Sequence, residues 1–177
     1  MSIDQPRRLD RDRNPEGRPE NARPRDRFGA PLPRDAIDEL ADRVEPATVC
    51  TDADDALRRA GALFDEERFF EAHEFFEWAW KGAGVAVQER PFWKGLAQLA
   101  VGYTHCQRGN AAGAATLLQR AVDALEPFGR THHGVDVATL RRDAAAFRAT
   151  LADPGASAER RFPRFAMMRA AGEGPVW

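Results

Sequence analysis

Cysteine, serine and lysine are all scarce in this chain, and each scarcity argues against a class of function. Only Cys50 and Cys106 occur, with no Cys-x-x-Cys spacing, which excludes a disulfide framework or a thiolate zinc site and fits a reducing cytoplasm. The only serines are Ser2 and Ser157, both in predicted tail or loop, so nucleophilic serine catalysis has no support. Lys81 and Lys94 are the only lysines, arginine carries the remaining positive charge, and the formal net charge is -2; no global field points to nucleic acid. Long apolar runs are missing too. Nothing approaches the roughly 18 residues of a membrane span. Arg7, Arg8, Asp10, Arg11, Asp12 and Arg13 stand where a secretory signal would need apolar residues. The expectation is a cytoplasmic protein without membrane or nucleic-acid partners.

What is present is a globular composition, 43% hydrophobic and 31% charged over 177 residues. Residues 1–27 mix Arg, Asp, Pro, Glu and Asn with almost no large apolar side chains, which predicts a disordered tail. Residues 28–50 open on Phe28-Gly29-Ala30-Pro31-Leu32-Pro33, an extended segment by its prolines, followed by a short helix over Ala36 to Val44. The helical domain spans 51–153, and 154–177 forms a C-terminal extension. Its Arg160, Arg161, Phe162, Arg164, Phe165, Met167, Met168 and Arg169 read as a basic amphipathic segment for membrane or partner binding or, as is more often the case for such ends, for docking on its own domain.

Three- and four-residue apolar spacing predicts five helices. Asp54 to Phe64 follows a Thr51 or Asp52 cap; Arg68 to Lys81 holds the aromatic run; Pro91 to Arg108 starts with a proline and ends before Gly109. Ala111 to Leu125 is capped by Asn110, and Val137 to Leu151 stops before Pro154-Gly155. Short connections make antiparallel hairpins, and no segment has useful strand periodicity. The aromatic run has no second copy at a fixed period, so a repeat array is excluded. The fold class is all-α, a compact bundle of about five helices built on antiparallel helical hairpins.

The run Phe69-Phe70-Glu71-Ala72-His73-Glu74-Phe75-Phe76-Glu77-Trp78-Ala79-Trp80 sets carboxylates and an imidazole among six rings. At about 100° per residue it divides into an inner arc of Phe69, Phe70, His73, Phe76, Glu77 and Trp80 and an outer one of Glu71, Glu74, Phe75 and Trp78. His73 and Glu77 are four residues apart, within mutual reach. On the following helix Lys94, Gln98 and His105 form a polar stripe beside the apolar Leu96, Leu99, Tyr103 and Cys106. Two readings follow. In the first, His73, Glu77 and Gln98 form a satisfied polar network inside a non-catalytic binding or interaction module. In the second, Glu71, His73, Glu74, Glu77, Trp80, Lys94, Gln98 and His105 surround a small-molecule or metal site of an enzyme.

Several specific chemistries fail on spacing. His73-Glu74 with Glu77 is H-E-x-x-E, lacking the second imidazole of a zinc protease. Glu71-Ala72-His73 has the wrong spacing for a carboxylate-bridged di-iron bundle, and His105 has no Glu partner on its helix. Gly82-Ala83-Gly84 lacks the Lys and Ser/Thr of a phosphate loop and terminates a helix instead. His132-His133 beside Gly134 reads as a solvated loop pair able to touch a ligand, and Trp78, Trp80, Phe92 and Trp93 read as packing.

Phe69-Phe70-Glu71-Ala72-His73-Glu74 with Glu77 and Trp80, then Lys94-Gly95-Leu96-Ala97-Gln98-Leu99-Ala100, and Arg108-Gly109-Asn110 with Gly113-Ala114 together resemble the domain-of-unknown-function family 309. The resemblance covers about residues 54 to 126 and implies a small all-helical domain with no assigned activity. It implies that His73, Glu74, Glu77, Trp80, Gly95, Gln98, Gly109 and Asn110 occupy motif positions, without roles. A glycine usually fills the turn position held here by Glu67, where it eases a positive φ. The sequence names no cofactor, ligand or oligomeric state.

Overall fold

The structure, a computed structural model, describes Glu16 and residues 23–82, 84–153 and 160–167. Most of the predicted disordered tail, and the parts of the C-terminal extension at 154–159 and 168–177, lie outside the described residues. The chain divides into two units, the first ending at Asp42 and the second beginning at Arg43.

The described part of the first unit is a turn held by carboxylates. Asp26 Oδ1 accepts from the backbone N–H of Phe28 and Ala30 at 2.9 and 2.8 Å, as an Asx turn does. Asp38 Oδ1 accepts from the N–H of Arg25 at 3.0 Å and of Leu40 at 3.1 Å. The helix expected over Ala36 to Val44 does not form. Its first half carries an aspartate whose side chain competes for backbone donors, and the segment settles into turns.

The second unit is helical: α1 (Pro46–Val49), α2 (Ala53–Asp65), α3 (Phe69–Lys81), α4 (Arg90–Gln107), α5 (Ala111–Leu125) and α6 (Val137–Thr150), with a two-stranded hairpin β1 (Thr131–His132) and β2 (Val135–Asp136) between the last two. From α2 onward each helix packs on the next. Three of the long helices, α2, α5 and α6, start where side chains satisfy their exposed N–H groups. Asp52 accepts from Asp55 at 2.7 Å, Asn110 from Gly113 at 2.9 Å and Asp136 from Thr139 at 3.0 Å. No helix among the described residues is long and apolar enough to cross a membrane.

Glycines on α4 let α5 approach it closely. A Cβ on Gly95 would lie 2.9 Å from Leu125, and one on Gly102 2.9 Å from Leu118. Two glycines seven residues apart thus leave a groove into which α5 presses its leucines. At the far end of that hairpin Asn110 joins both helices. Its Oδ1 caps α5, and its Nδ2 donates to His105 Nδ1 at 2.9 Å. The Arg-Gly-Asn motif is therefore a helix junction.

The core is mostly aromatic where α2, α3, α4 and α6 meet. Phe64 meets Phe69 and Tyr103 edge-on at 4.8 and 5.4 Å between centroids, the favoured approach of ring quadrupoles. The 160–167 segment closes this cluster, as expected of an end that docks on its own domain. Phe162 stacks on Phe147 at 5.2 Å, Phe165 lies 5.4 Å from Phe64, and the Phe165 N–H donates to Asp65 at 2.7 Å.

The buried face of α3 is turned relative to the predicted arc. Phe69, Ala72, Phe76 and Ala79 are enclosed, with Glu71 and Phe75 at their flank, while Phe70, His73, Glu77 and Trp80 are only half-buried. The reason is packing on two sides. α3 contacts both α2 and α4, and its two alanines mark the line of closest approach, a signal that hydropathy arithmetic weights too lightly. The α2–α3 turn places Glu67 at φ 60°, the conformation that the family's glycine would ease. Gln107 of α4 fixes that turn by donating to the Glu67 carbonyl at 2.8 Å.

Candidate functional site

Two sets of polar residues compete for the description of a site. The first is the predicted set on α3 and α4. Glu71 forms a bidentate pair with Arg68, at 2.8 Å to Nε and 2.6 Å to Nη2, and this pairing holds the Arg68 guanidinium well above its ordinary pKa. Glu77 pairs with Lys81 at 2.6 Å, and Glu74 faces Arg43 at 3.6 Å. His73 Nδ1–H donates to the carbonyl of Phe70 one turn back. Burial pushes the His73 pKa down, a trend that the Phe70 carbonyl and the nearby Glu77 charge oppose.

On α4, Lys94 lies over the Trp80 ring, 5.7 Å from its centroid, and Lys81 approaches the same ring at 5.7 Å. Gln98 is half-buried, and His105 is engaged by Asn110. No hydrogen bond joins His73, Glu77 and Gln98 to one another among the described residues. The structure thus distributes these residues over α3 and α4, most of them engaged with a separate neighbour.

The second set surrounds a cleft of about 720 Å³ on another part of the same unit. Its walls come from the start of α2 (Ala53, Asp54), the end of α3 (Trp78, Ala79), the connection through Val85 and Ala86, and the start of α4 (Glu89, Trp93), with His133 at the edge. None of the predicted site residues lines it. Two neighbours of theirs in the aromatic run do, Trp78 and Ala79, because an α-helix presents successive residues to different surroundings.

A four-residue polar cluster sits at the edge of this cleft. Glu89 occupies the N-cap position of α4, yet its side chain makes no cap hydrogen bond. Instead Glu89 Oε2 accepts from His132 Nε2 at 2.5 Å and lies 3.2 Å from His133 Nε2. His133 Nδ1 in turn donates to Asp54 Oδ1 at 3.0 Å. The two histidines hold the Glu89 carboxyl below its usual range.

Local sequence explains how adjacent histidines can face one carboxylate. The β1–β2 connection places His133 at φ 47° and Gly134 at φ 73°, the pair of positive angles of a type I′ hairpin turn. Aromatic rings then fix the imidazoles. Phe92 is edge-on to His132 at 4.8 Å and stacked on His133 at 5.5 Å; Phe128 lies 4.9 Å from His132 and Trp93 5.2 Å from His133. Val135, fully buried, anchors the hairpin, and Asp136 N–H donates to the Ala166 carbonyl at 2.8 Å.

Sequence reasoning reached His132 and His133 only as a loop pair and passed over Glu89 and Asp54. The usable signal was His-His-Gly ahead of Val135, a turn whose backbone favours glycine at its second position. Nothing in the spacing shows which acids that turn meets. No curated protein matches the chain. The model of the family described as Domain of unknown function (DUF309) matches residues 57–117, covering α2 from Leu57 through the first half of α5.

Proposed function

We propose that this is a non-catalytic binding module, in which the polar residues of α3 serve the fold and the cleft bounded by α2, α3 and the start of α4 seats a ligand. The observation that carries the reading is the division of labour between two surfaces. Every acid on α3 faces a cation of its own, so the motif carboxylates are spent on fixing the helix. The cleft combines two tryptophans, Val85 and several alanines with a few polar groups at its edge, the composition of a small-molecule seat. Nile red, a neutral apolar dye, tests this. It should bind the folded protein saturably with a fluorescence gain, and Ala86→Trp, at an exposed cleft-lining position, should weaken it at least tenfold with the circular dichroism spectrum unchanged. No saturable gain, or equal binding by the variant, would refute the assignment.

A further inference from the structure

We infer that Glu89, His132 and His133 form a binding site for a late first-row divalent cation such as zinc, with Asp54 as the positioning residue behind it. The inference rests on reading the adjoining cleft as a ligand seat. One oxygen and two imidazole nitrogens from these residues lie within 4.8 Å of one another. That donor set suits zinc and its neighbours in the transition series. Bond lengths near 2.0–2.1 Å in a tetrahedral site separate its ligand atoms by roughly 3.3 Å. The 3.2 Å between Glu89 Oε2 and His133 Nε2 already matches that spacing, and the 2.5 Å contact to His132 Nε2 needs to open by less than about 1 Å.

The surroundings of these groups are those of a ligating set. His133 turns its Nδ1 to Asp54 Oδ1 at 3.0 Å and its Nε2 to Glu89 Oε2 at 3.2 Å, so the Asp54 contact stands as the outer carboxylate that orients a ligating histidine and fixes its tautomer. The side chains of His132, His133 and Glu89 are 28%, 30% and 31% exposed, so an ion can reach them. Three protein ligands leave a fourth position, and since Glu89 and His133 both line the cleft, an oxygen-bearing ligand seated there could complete it. Asp54, His132 and His133 lie outside the family match of residues 57–117, and Glu89 lies inside it.

The test is competition for zinc between a chromophoric chelator and the full chain made without a histidine tag, with cobalt(II) as a spectroscopic probe. The expected result is one equivalent of zinc, and for cobalt the intense visible absorption of a four- or five-coordinate ion. Glu89→Gln and His133→Ala should each weaken zinc at least tenfold, Asp54→Asn by about 10- to 100-fold, and His73→Gln not at all. No zinc taken from the chelator, or undiminished uptake by both Glu89→Gln and His133→Ala, would overturn the site. Nile red binding separates the two ideas: dye binding without zinc uptake removes only the ion, and zinc uptake without dye binding removes only the cleft ligand.

Discussion

The polar residues of α3 and those at the cleft differ first in where their partners come from. Around α3, Glu71 with Arg68, Glu77 with Lys81 and His73 with Phe70 have hydrogen-bonded partners three or four positions away, while Glu74 reaches the more distant Arg43. At the cleft the partners are 43, 44 and 79 positions away, in Glu89 with His132, Glu89 with His133 and Asp54 with His133. Contacts of the first kind form wherever the helix forms and stabilise it by tenths of a kcal/mol when exposed. The second kind requires three separate segments to arrive together. Such an arrangement does little for any one helix, which is why the cleft cluster, and not the more conspicuous motif, is the better candidate for a site.

The contrast can be broken most directly at Arg68. Arg68→Ala leaves the buried Glu71 carboxylate without its bidentate partner, and with the guanidinium half-exposed the expected loss is about 1–2 kcal/mol in urea unfolding. Zinc uptake should stay unchanged. A loss of zinc uptake at unaltered stability would reverse the assignment of the two surfaces.

A smaller effect should appear as a pH dependence. Burial depresses the His73 pKa in the folded state below the ordinary 6.5 of an imidazole. The unfolded chain therefore takes up a proton before the folded one, so this contribution is complete above about pH 6.5 and is lost as pH falls toward the folded value. His105, lowered by its burial and by the Arg108 charge, adds in the same sense. Glu89, depressed from 4.5, loses its contribution only at more acid pH. Between pH 7.5 and 5.5 the melting temperature of His73→Gln should therefore fall less than that of the parent, and parallel curves would rule out burial of a neutral His73.

The smallest expected change is a gain. Glu67→Gly at φ 60° removes the left-handed penalty of about 1–2 kcal/mol, and the added flexibility of the unfolded chain offsets part of it. A net stabilisation on the order of 0.5–1 kcal/mol should be seen in urea unfolding. Destabilisation would mean that the Glu67 side chain holds the turn in a way its backbone geometry does not reveal.

Much of the scaffold was legible. The five long helices lie within a residue or so of where apolar spacing, Asp52, Asn110, Gly109 and the prolines place them, because caps and periodicity are local properties of the chain. The failures have local causes of another kind. Ala36 to Val44 has helical spacing but carries Asp38, whose carboxylate binds backbone donors on both sides of it in sequence. The α3 face was misjudged because small residues, not large ones, mark the line where two helices press from both sides. The eight candidate site residues were identified by their chemistry, and their neighbours show mostly pairings within one or two turns of helix.

By itself the sequence determined that the chain is helical, where its long helices begin and end, and that His132 and His133 sit in the loop beside Gly134. Each of these is a matter of residues within a few positions of one another, or of a periodic face. Tertiary structure alone decided that this loop meets Glu89 and Asp54 beside a cleft. That encounter depends on the lengths and crossing of α2, α4 and the β hairpin, and no spacing along the chain encodes the distance between a helix cap and a loop more than forty residues away.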